Sequence, residues 1–476
     1  MSLIKLMRSV IIAEDCYKFS HPFMVSRDVT GLTSYIEARK SDWADKIVFF
    51  GLQAYIREYL DTPITMADID FAEKLAKSAL IPFHREMWEA VVNECGGYLP
   101  IQIAALPEGT PVKPGIPVVQ ITTTFRYPAI LSVIETSLLR AIWYPSSVAT
   151  LSRHIKAHLK DMLEVTSDVD PDKLLPTMLN DFGGRGASSG ESAALGGMGH
   201  LINFIGSDTV EAIPAAMMYY DHDLDTDGPV LISVPATEHS VTTINGEEKE
   251  CEFVGRVIDI FTEQGFPIIS IVADSYDMER FVSTYIGVIH KSKILNRDGF
   301  IVVRPDSGEP TVIVPQVMNL LWDKFGGEVN SKGYKVLNPK VRIIQGDGIN
   351  RESIKDILFA VGRAGFSVEN LVFGMGGQLL QGPMRDDHSW AMKTNAVKHG
   401  DGEWKDVQKK PKTDMSKASK AGRQVVVFYQ DDYHSVHEYE LEAVAHGTKN
   451  WLEDVWDTGL TFRTQTFADV RERAKL

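Results

Sequence analysis

The chain has 476 residues, with 49 Lys plus Arg against 64 Asp plus Glu, a formal net charge of −15, and 44% apolar and 24% charged residues. That is the balance of an ordinary compact protein with room for two or three domains; disorder, collagen and coiled coil are excluded, and no global field draws in nucleic acid or an anionic membrane. Cys16, Cys95 and Cys251 are widely spaced and form no C-x-x-C pair, which argues against a disulfide framework or structural zinc and fits a reducing cytoplasm.

Residues 1–13 are mostly apolar, with Lys5 and Arg8, lack a small-residue cleavage site and run into Glu14-Asp15, so they read as an early strand. No stretch reaches the 18 or so apolar residues that would span a membrane. Helical patterns follow at 41–60, 67–93 and 129–162, and the Pro- and Gly-rich stretch 97–117 reads as a small β element with turns. From about 178 the texture changes: short β-branched runs recur at 230–234, 268–272, 300–303, 341–344 and 371–373, with helical segments between them. Such spacing suits one strand plus one crossover helix, hence a parallel sheet or (β/α) barrel. After the fourth run, Asn350 is a good N-cap, and Ile354, Ile357, Leu358 and Val361 form one apolar stripe that Gly362 and Gly365 terminate. From about 390 the pattern ends. Between Lys393 and Arg423, nine Lys or Arg face four Asp or Glu, a local net charge of +5. The expected division is therefore 1–178, 179–389 and 390–476.

The expected strand ends carry the chemistry: Glu238-His239, Asp274-Ser275, Arg304-Pro-Asp306-Ser-Gly308, Gln345-Gly346-Asp347-Gly348 and Gly374-Met-Gly376-Gly377. In parallel α/β folds ligands bind at the carboxyl ends of strands, so five polar or glycine-rich ends predict one shared pocket. Gly374 to Gly377 matches neither a Walker loop nor a dinucleotide fingerprint, and reads equally as a tight turn or as a phosphate-closing loop with Arg385 in reach. Arg304 and Asp306 would pair with each other in solvent, or serve the phosphate and the hydroxyls of a phosphorylated sugar. Asp274 and Asp347 add carboxylates, a crowd that calls for a cation such as Mg²⁺. His239 is either structural or a tautomer-fixed imidazole beside acidic Glu238. Phe182, just before the strand series, offers a face for a flat ring with Arg185 nearby, and Asp208 is an amide partner or a helix cap.

In order along nearly the whole chain, Asp15-Cys-Tyr-Lys18, Glu37-Ala-Arg39, Asp181-Phe-Gly-Gly-Arg185, Gly206-Ser-Asp-Thr209, Ser233-Val-Pro-Ala-Thr-Glu-His239, Asp274-Ser-Tyr-Asp277, Arg304-Pro-Asp-Ser-Gly308, Gln345-Gly-Asp-Gly348 and Gly376-Gly377 with Arg385 resemble the nicotinamide phosphoribosyltransferases, pentosyltransferases of the type II phosphoribosyltransferase family. The resemblance implies an α/β fold: an irregular (β/α) barrel plus a second α+β domain built from both chain ends, working as a homodimer with shared sites. It implies a reaction of NAD salvage in which nicotinamide and 5-phosphoribosyl 1-diphosphate give nicotinamide mononucleotide and diphosphate with Mg²⁺. By match, nicotinamide would stack between Phe182 and the partner's Tyr17, with Asp208 on its carboxamide and Arg185 and Ser270 beside the ring. Asp306, Gly346 and Asp347 would hold ribose; Arg304, Gly376, Gly377 and Arg385 the 5′-phosphate; Arg39, Lys393, Lys409 and Lys417 the diphosphate, through which any Mg²⁺ would be held. His239 would accept a phosphoryl group from ATP, with Asp274 orienting it. Asn180, Gly184 and a loop at 414–423 poorer in charge depart from the usual pattern. The alternatives are nicotinate phosphoribosyltransferase, which Asp208 disfavours because a carboxylate repels an anionic substrate, and a non-catalytic nucleotide-binding relative.

Overall fold

A computed structural model describes residues 9–413, 417–440 and 448–476. The chain forms two compact units, one from Met1–Thr150, Ala215–Asp223 and Met384–Lys475, the other from Leu151–Pro214 and Leu224–Pro383. One domain is thus built from both chain ends, with a third, inserted piece at 215–223. The division falls inside the long helix Glu135–Thr166, earlier than the change of texture at 178.

In the unit that contains the middle of the chain, five parallel strands pair in the order Leu179–Asp181, Leu371–Met375, Val341–Gln345, Phe300–Arg304, Ile268–Val272. Their centres are fully buried, as at Ile269, Ile301, Val303, Ile343 and Phe373, because crossover helices cover such a sheet and leave apolar runs rather than alternation. The helix Arg351–Arg363 buries Ile354, Ile357, Leu358 and Val361, the stripe read from the sequence. Gly362 lies within it, and Gly365, at φ +80°, makes the turn beyond.

Two expectations change here. Leu179–Asp181 is a full strand of the sheet, so the Asp181-Phe182 motif sits at a strand end rather than ahead of the series. Residues 230–234, flanked by Pro229 and Pro235, form no ladder; they contribute single parallel bridges, Gly206↔Ile232 and, just beyond, Ala236↔Ser270. With Asp181↔Ser207 these bridges carry the sheet round on itself. The result is an irregular barrel whose closing arc has one or two hydrogen bonds per neighbour, such as Ile232 N–H to Ile205 O at 2.7 Å and Ser270 N–H to Pro235 O at 2.9 Å.

The other unit centres on a seven-stranded antiparallel sheet ordered Trp404–Asp406, Trp390–His399, Val29–Ala38, Pro117–Thr123, Gln102–Ala105, Glu453–Asp457, Leu460–Thr461. Trp390 and Trp456, from the late part of the chain, pack into a core with Ile36, Ile103, Ile121 and Trp88. Of the expected early strand, residues 9–13 make a turn instead, and 1–8 lie outside the described residues. The pattern at 41–60 gives a short strand, Ile47–Val48, and helix only from Leu52. That at 67–93 divides into Met66–Ser78 and Arg85–Cys95, the break marked by Leu80 at φ +57° and Pro82. Among the described residues no helix is long and apolar enough to cross a membrane.

Asn350 accepts hydrogen bonds from the N–H groups of Glu352 and Ser353, both at 2.9 Å, while its own N–H donates to Ser353 Oγ at 2.9 Å. Losing this cap costs about 1 kcal/mol. Asn350→Ala should therefore speed amide exchange in the first turn of Arg351–Arg363 about fivefold, measured by hydrogen exchange with mass spectrometry.

Candidate active site

The carboxyl ends of the barrel strands open into a cavity of about 510 Å³ lined by Phe182, Gly184, Arg185, Asp208, Thr209, Glu238, His239, Ser240, Arg304, Asp306, Gly346 and Asp347. Nine of these were read from the sequence as candidate residues, and all twelve belong to the barrel unit.

One wall carries the phenyl ring of Phe182. Phe182 N–H donates to Met375 O at 2.9 Å, which locks the residue onto the end of the neighbouring strand. The side chain then lies over glycines: a Cβ at Gly374 would meet Phe182 Cε2 at 2.0 Å, and one at Gly346 would approach the same atom at 3.6 Å. Glycine at 374 is therefore a steric requirement of the phenyl plane. The turn that follows is equally tight, because a Cβ at Gly184 would come within 3.2 Å of Thr209 Oγ1 and one at Gly186 within 2.9 Å of Gly377 Cα. The small residue at 184 is explained by Thr209. Asn180 does not line the cavity; its Nδ2 donates to Phe373 O at 3.0 Å and Thr177 O at 3.2 Å, tying two strands.

Beside the ring wall, Asp208 is exposed to the cavity, and Ser233 Oγ donates to its Oδ1. One carboxylate oxygen is thereby oriented, and the other is left to accept from a ligand. Behind both lies Asp181, 0% exposed. Burial pushes its carboxyl up to about 6, against the N–H of Gly183 and nearby hydroxyls, which favour the charged form.

The opposite wall is charged. His239 begins the helix His239–Thr243; its Nδ1 lies 3.0 Å from Ser275 Oγ, and its Nε2 lies 3.4 Å from Asp306 Oδ2 and 3.7 Å from Asp274 Oδ1. The sequence suggested Glu238 as the acidic partner. Glu238 instead turns to Ser240 Oγ and, at 3.7 Å, to Arg185, and these hold its carboxyl below the usual range, the hydroxyl contributing most. Asp274 is buried beneath the cavity, where its Oδ2 accepts from Asp306 N–H at 3.0 Å and its Oδ1 has no hydrogen-bond partner. Arg304 Nε lies 3.8 Å from Asp306 Oδ1, beyond hydrogen-bonding distance, and is also buried without a partner. The guanidinium and carboxylate therefore do not satisfy each other, and both keep capacity for a ligand.

Ser270 is 6% exposed within its strand, bridged to Ala236, and does not line the cavity. Gly376 and Gly377 sit behind the Phe182 turn rather than on the lining. Tyr17, Arg39, Arg385, Lys393, Lys409 and Lys417 all belong to the other unit. There Tyr17 is exposed, Arg39 Nε donates to Ser389 O at 3.2 Å, and Arg385 pairs with Asp386 at 2.9 Å. Lys393 is held below the usual lysine range mainly by burial, and further by the cations Arg39, Lys409 and Lys18, against the pull of Glu135. Lys393 and three further cations thus act on one locality. Of the basic loop, 414–416 lie outside the described residues, and Lys417 is exposed.

Among the described residues no group of three or more His, Cys, Asp or Glu side chains is gathered to hold a metal ion. Asp274 and Asp306 nevertheless present hard oxygen donors, one of them unpartnered, that suit Mg²⁺ provided substrate oxygens and water complete its shell. Sequence reasoning missed Asp181, Thr209, Ser233 and Ser275 as parts of the site. All four nevertheless stand inside the motifs that carry the resemblance, Ser275 also as the neighbour of Asp274 at a strand end.

Residues 177–457 match the model of the nicotinate phosphoribosyltransferase (NAPRTase) family, and residues 9–103 match the N-terminal domain of nicotinamide phosphoribosyltransferase. The chain is 40% identical over 473 residues to a nicotinamide phosphoribosyltransferase of Xanthomonas campestris pv. campestris, covering 98% of each, and 33% identical over 466 residues to one of Acinetobacter baylyi, covering 91% of this chain and 89% of that protein. In fold it resembles a nicotinate-nucleotide pyrophosphorylase of Pyrococcus furiosus, with TM-score 0.63 at 16% identity over 100% of this chain and 96% of that one. It also resembles human nicotinic acid phosphoribosyltransferase, with TM-score 0.55 at 15% identity over 97% and 92%. With its barrel, its second domain from both ends and relatives matched from end to end, the chain belongs to the nicotinamide phosphoribosyltransferases of the type II phosphoribosyltransferase family.

Proposed function

We propose that the protein transfers the phosphoribosyl group of 5-phosphoribosyl 1-diphosphate to nicotinamide, releasing diphosphate and forming nicotinamide mononucleotide for NAD salvage. The observation that carries the choice of base is Asp208, exposed in the cavity beside Phe182 with Ser233 fixing one of its oxygens. A carboxamide NH₂ donates to the remaining oxygen, whereas the carboxylate of nicotinate meets an anion.

With the pyridine ring on Phe182, its nitrogen attacks C1′ of the sugar as the C1′–O bond to diphosphate breaks. No proton has to move, so the protein's work is to position and to stabilise charge. Asp306 and Asp347 accept from ribose hydroxyls, and Arg304 meets the 5′-phosphate with its guanidinium. Asp306, with Asp274 behind it, would help hold Mg²⁺, which would supply charge neutralisation for the leaving diphosphate. His239, half exposed with its Nε2 aimed into the cavity, accepts a phosphoryl group from ATP. Two carboxylates within 4 Å of that nitrogen make a phosphorylated ring dependent on a cation.

The exposed Tyr17, with Phe23 56% and Met24 73% exposed on the same segment, supports a homodimer in which Tyr17 of the partner subunit covers the other face of the ring. The three cysteines are free, which fits a reducing cytoplasm.

Purified protein with Mg²⁺ should use nicotinamide with a kcat/KM at least tenfold above that for nicotinate; equal or better use of nicotinate overturns the choice of base. Asp208→Ala should lower kcat/KM for nicotinamide by about 10- to 100-fold, the worth of a hydrogen bond to a charged group, and narrow its lead over nicotinate. His239→Ala should abolish any stimulation by ATP, read as the ratio of initial rates with and without the nucleotide, and retained stimulation places the acceptor elsewhere. Gly374→Ala should raise the KM for nicotinamide at least tenfold by forcing the phenyl ring of Phe182 out of plane, an effect that a Phe182→Leu background removes.

A further inference from the structure

Asp181 stands outside every role assigned above, yet it is bonded to both halves of the base-binding wall. Its carboxylate Oδ1 accepts from Gly183 N–H at 2.7 Å, which fixes the turn that follows Phe182, and its Oδ2 lies 3.4 Å from Ser207 Oγ. That same Ser207 hydroxyl accepts from Thr209 N–H at 3.0 Å, and the main-chain oxygen of Asp181 accepts from Asp208 N–H at 2.9 Å. The segment carrying the stacking ring and the segment carrying the amide acceptor therefore share one anchor.

The packing leaves this anchor little freedom. A Cβ at Gly183 would come within 3.0 Å of Asp181 Oδ1, and one at Gly197, on the helix Gly190–Leu201, would lie 3.2 Å from Thr209 Cγ2 and 3.6 Å from Asp181 Oδ2. Asp181 is 0% exposed, and a buried carboxylate is costly to keep where an apolar side chain would pack as well. The barrel closes at this point through a single bridge, Asp181↔Ser207, so backbone pairing alone holds the two segments weakly.

We infer that Asp181 is a positioning residue for the base: its carboxylate holds the Phe182 turn and the Ser207–Thr209 segment at a fixed spacing, so that ring stacking and the Asp208 hydrogen bond are made together. This rests on the reading of Phe182 and Asp208 as the nicotinamide site. It separates from a purely structural role because the phosphoribosyl diphosphate groups, around Arg304, Asp306 and Asp347, are on other strand ends.

Steady-state kinetics of the full chain test it. Asp181→Ala should raise the KM for nicotinamide at least tenfold, leave the KM for phosphoribosyl diphosphate within twofold, and lower kcat by less than threefold. Asp181→Asn, which keeps an oxygen to accept from Gly183, should recover most of the affinity. An Asp181→Ala enzyme with the parent's circular dichroism and an unchanged nicotinamide KM overturns the inference, as does equal loss of affinity for both substrates. If Asp181→Ala does not fold, Ser207→Ala carries the test: a rise confined to the nicotinamide KM supports the role, and an unchanged value overturns it. A parent enzyme that prefers nicotinate defeats the choice of substrate instead, and that outcome is visible before any variant is made.

Discussion

The site depends on a barrel that closes by the thinnest of connections. All five strands of the parallel sheet owe their place to ladders and buried faces, but the arc from Ile268–Val272 back to Leu179–Asp181 runs through three isolated parallel bridges. Because those segments spend so few backbone groups on each other, their side chains and free strand ends face the cavity. Asp208, Ser233 and Glu238 all come from this loosely paired arc. Regular strands supply the opposite, rigid wall, with Arg304, Asp306 and Asp347 at their ends. A rigid wall at regular strand ends facing one of short irregular segments is an arrangement in which a barrel can vary its lining while keeping its frame.

Charge is distributed on the same plan. The barrel cavity pairs cation with anion incompletely: Arg304 Nε and Asp274 Oδ1 are buried without partners, a cost that a substrate can recover and that solvent cannot. The second unit concentrates cations around Lys393, which burial and its neighbours hold at a depressed basicity. An anion beside Lys393 would favour its charged form, so an acidic chain can still carry a locally cationic surface.

Much of this was legible in the sequence, for identifiable reasons. Parallel strands buried on both faces leave uninterrupted β-branched runs, so 268–272, 300–303, 341–344 and 371–373 were readable, and their ends pointed at Asp306 and Asp347. Asn350 and its stripe were readable because caps and helical periodicity are local. The closing arc was not: a segment held by one bridge needs no alternation, and Pro229 and Pro235 turned an expected strand into an extended passage. The anchor at Asp181 was hidden for another reason, since its partners Gly183 and Ser207 come from separate segments and no spacing rule connects them. Likewise the imidazole of His239 found its carboxylates at 274 and 306, distant in the chain, while its sequence neighbour Glu238 turned away. Ser270 shows the opposite error, a residue in a suggestive place whose side chain the strand keeps buried.

The sheet of the second unit bears on how the chain is made. Val29–Ala38 is an interior strand, paired on one side with Pro117–Thr123 and on the other with Trp390–His399. During synthesis its first neighbour is available early, while the other emerges some 270 residues later, a delay on the order of tens of seconds at ordinary rates of translation. For that interval a ten-residue strand presents an open hydrogen-bonding edge, the kind of surface on which nascent chains associate wrongly. The barrel, contiguous but for the short 215–223 excursion, can meanwhile assemble. The order of synthesis thus differs from the order of completion: the sheet that Val29–Ala38 begins is closed on its second side only when Trp390–His399 has left the ribosome.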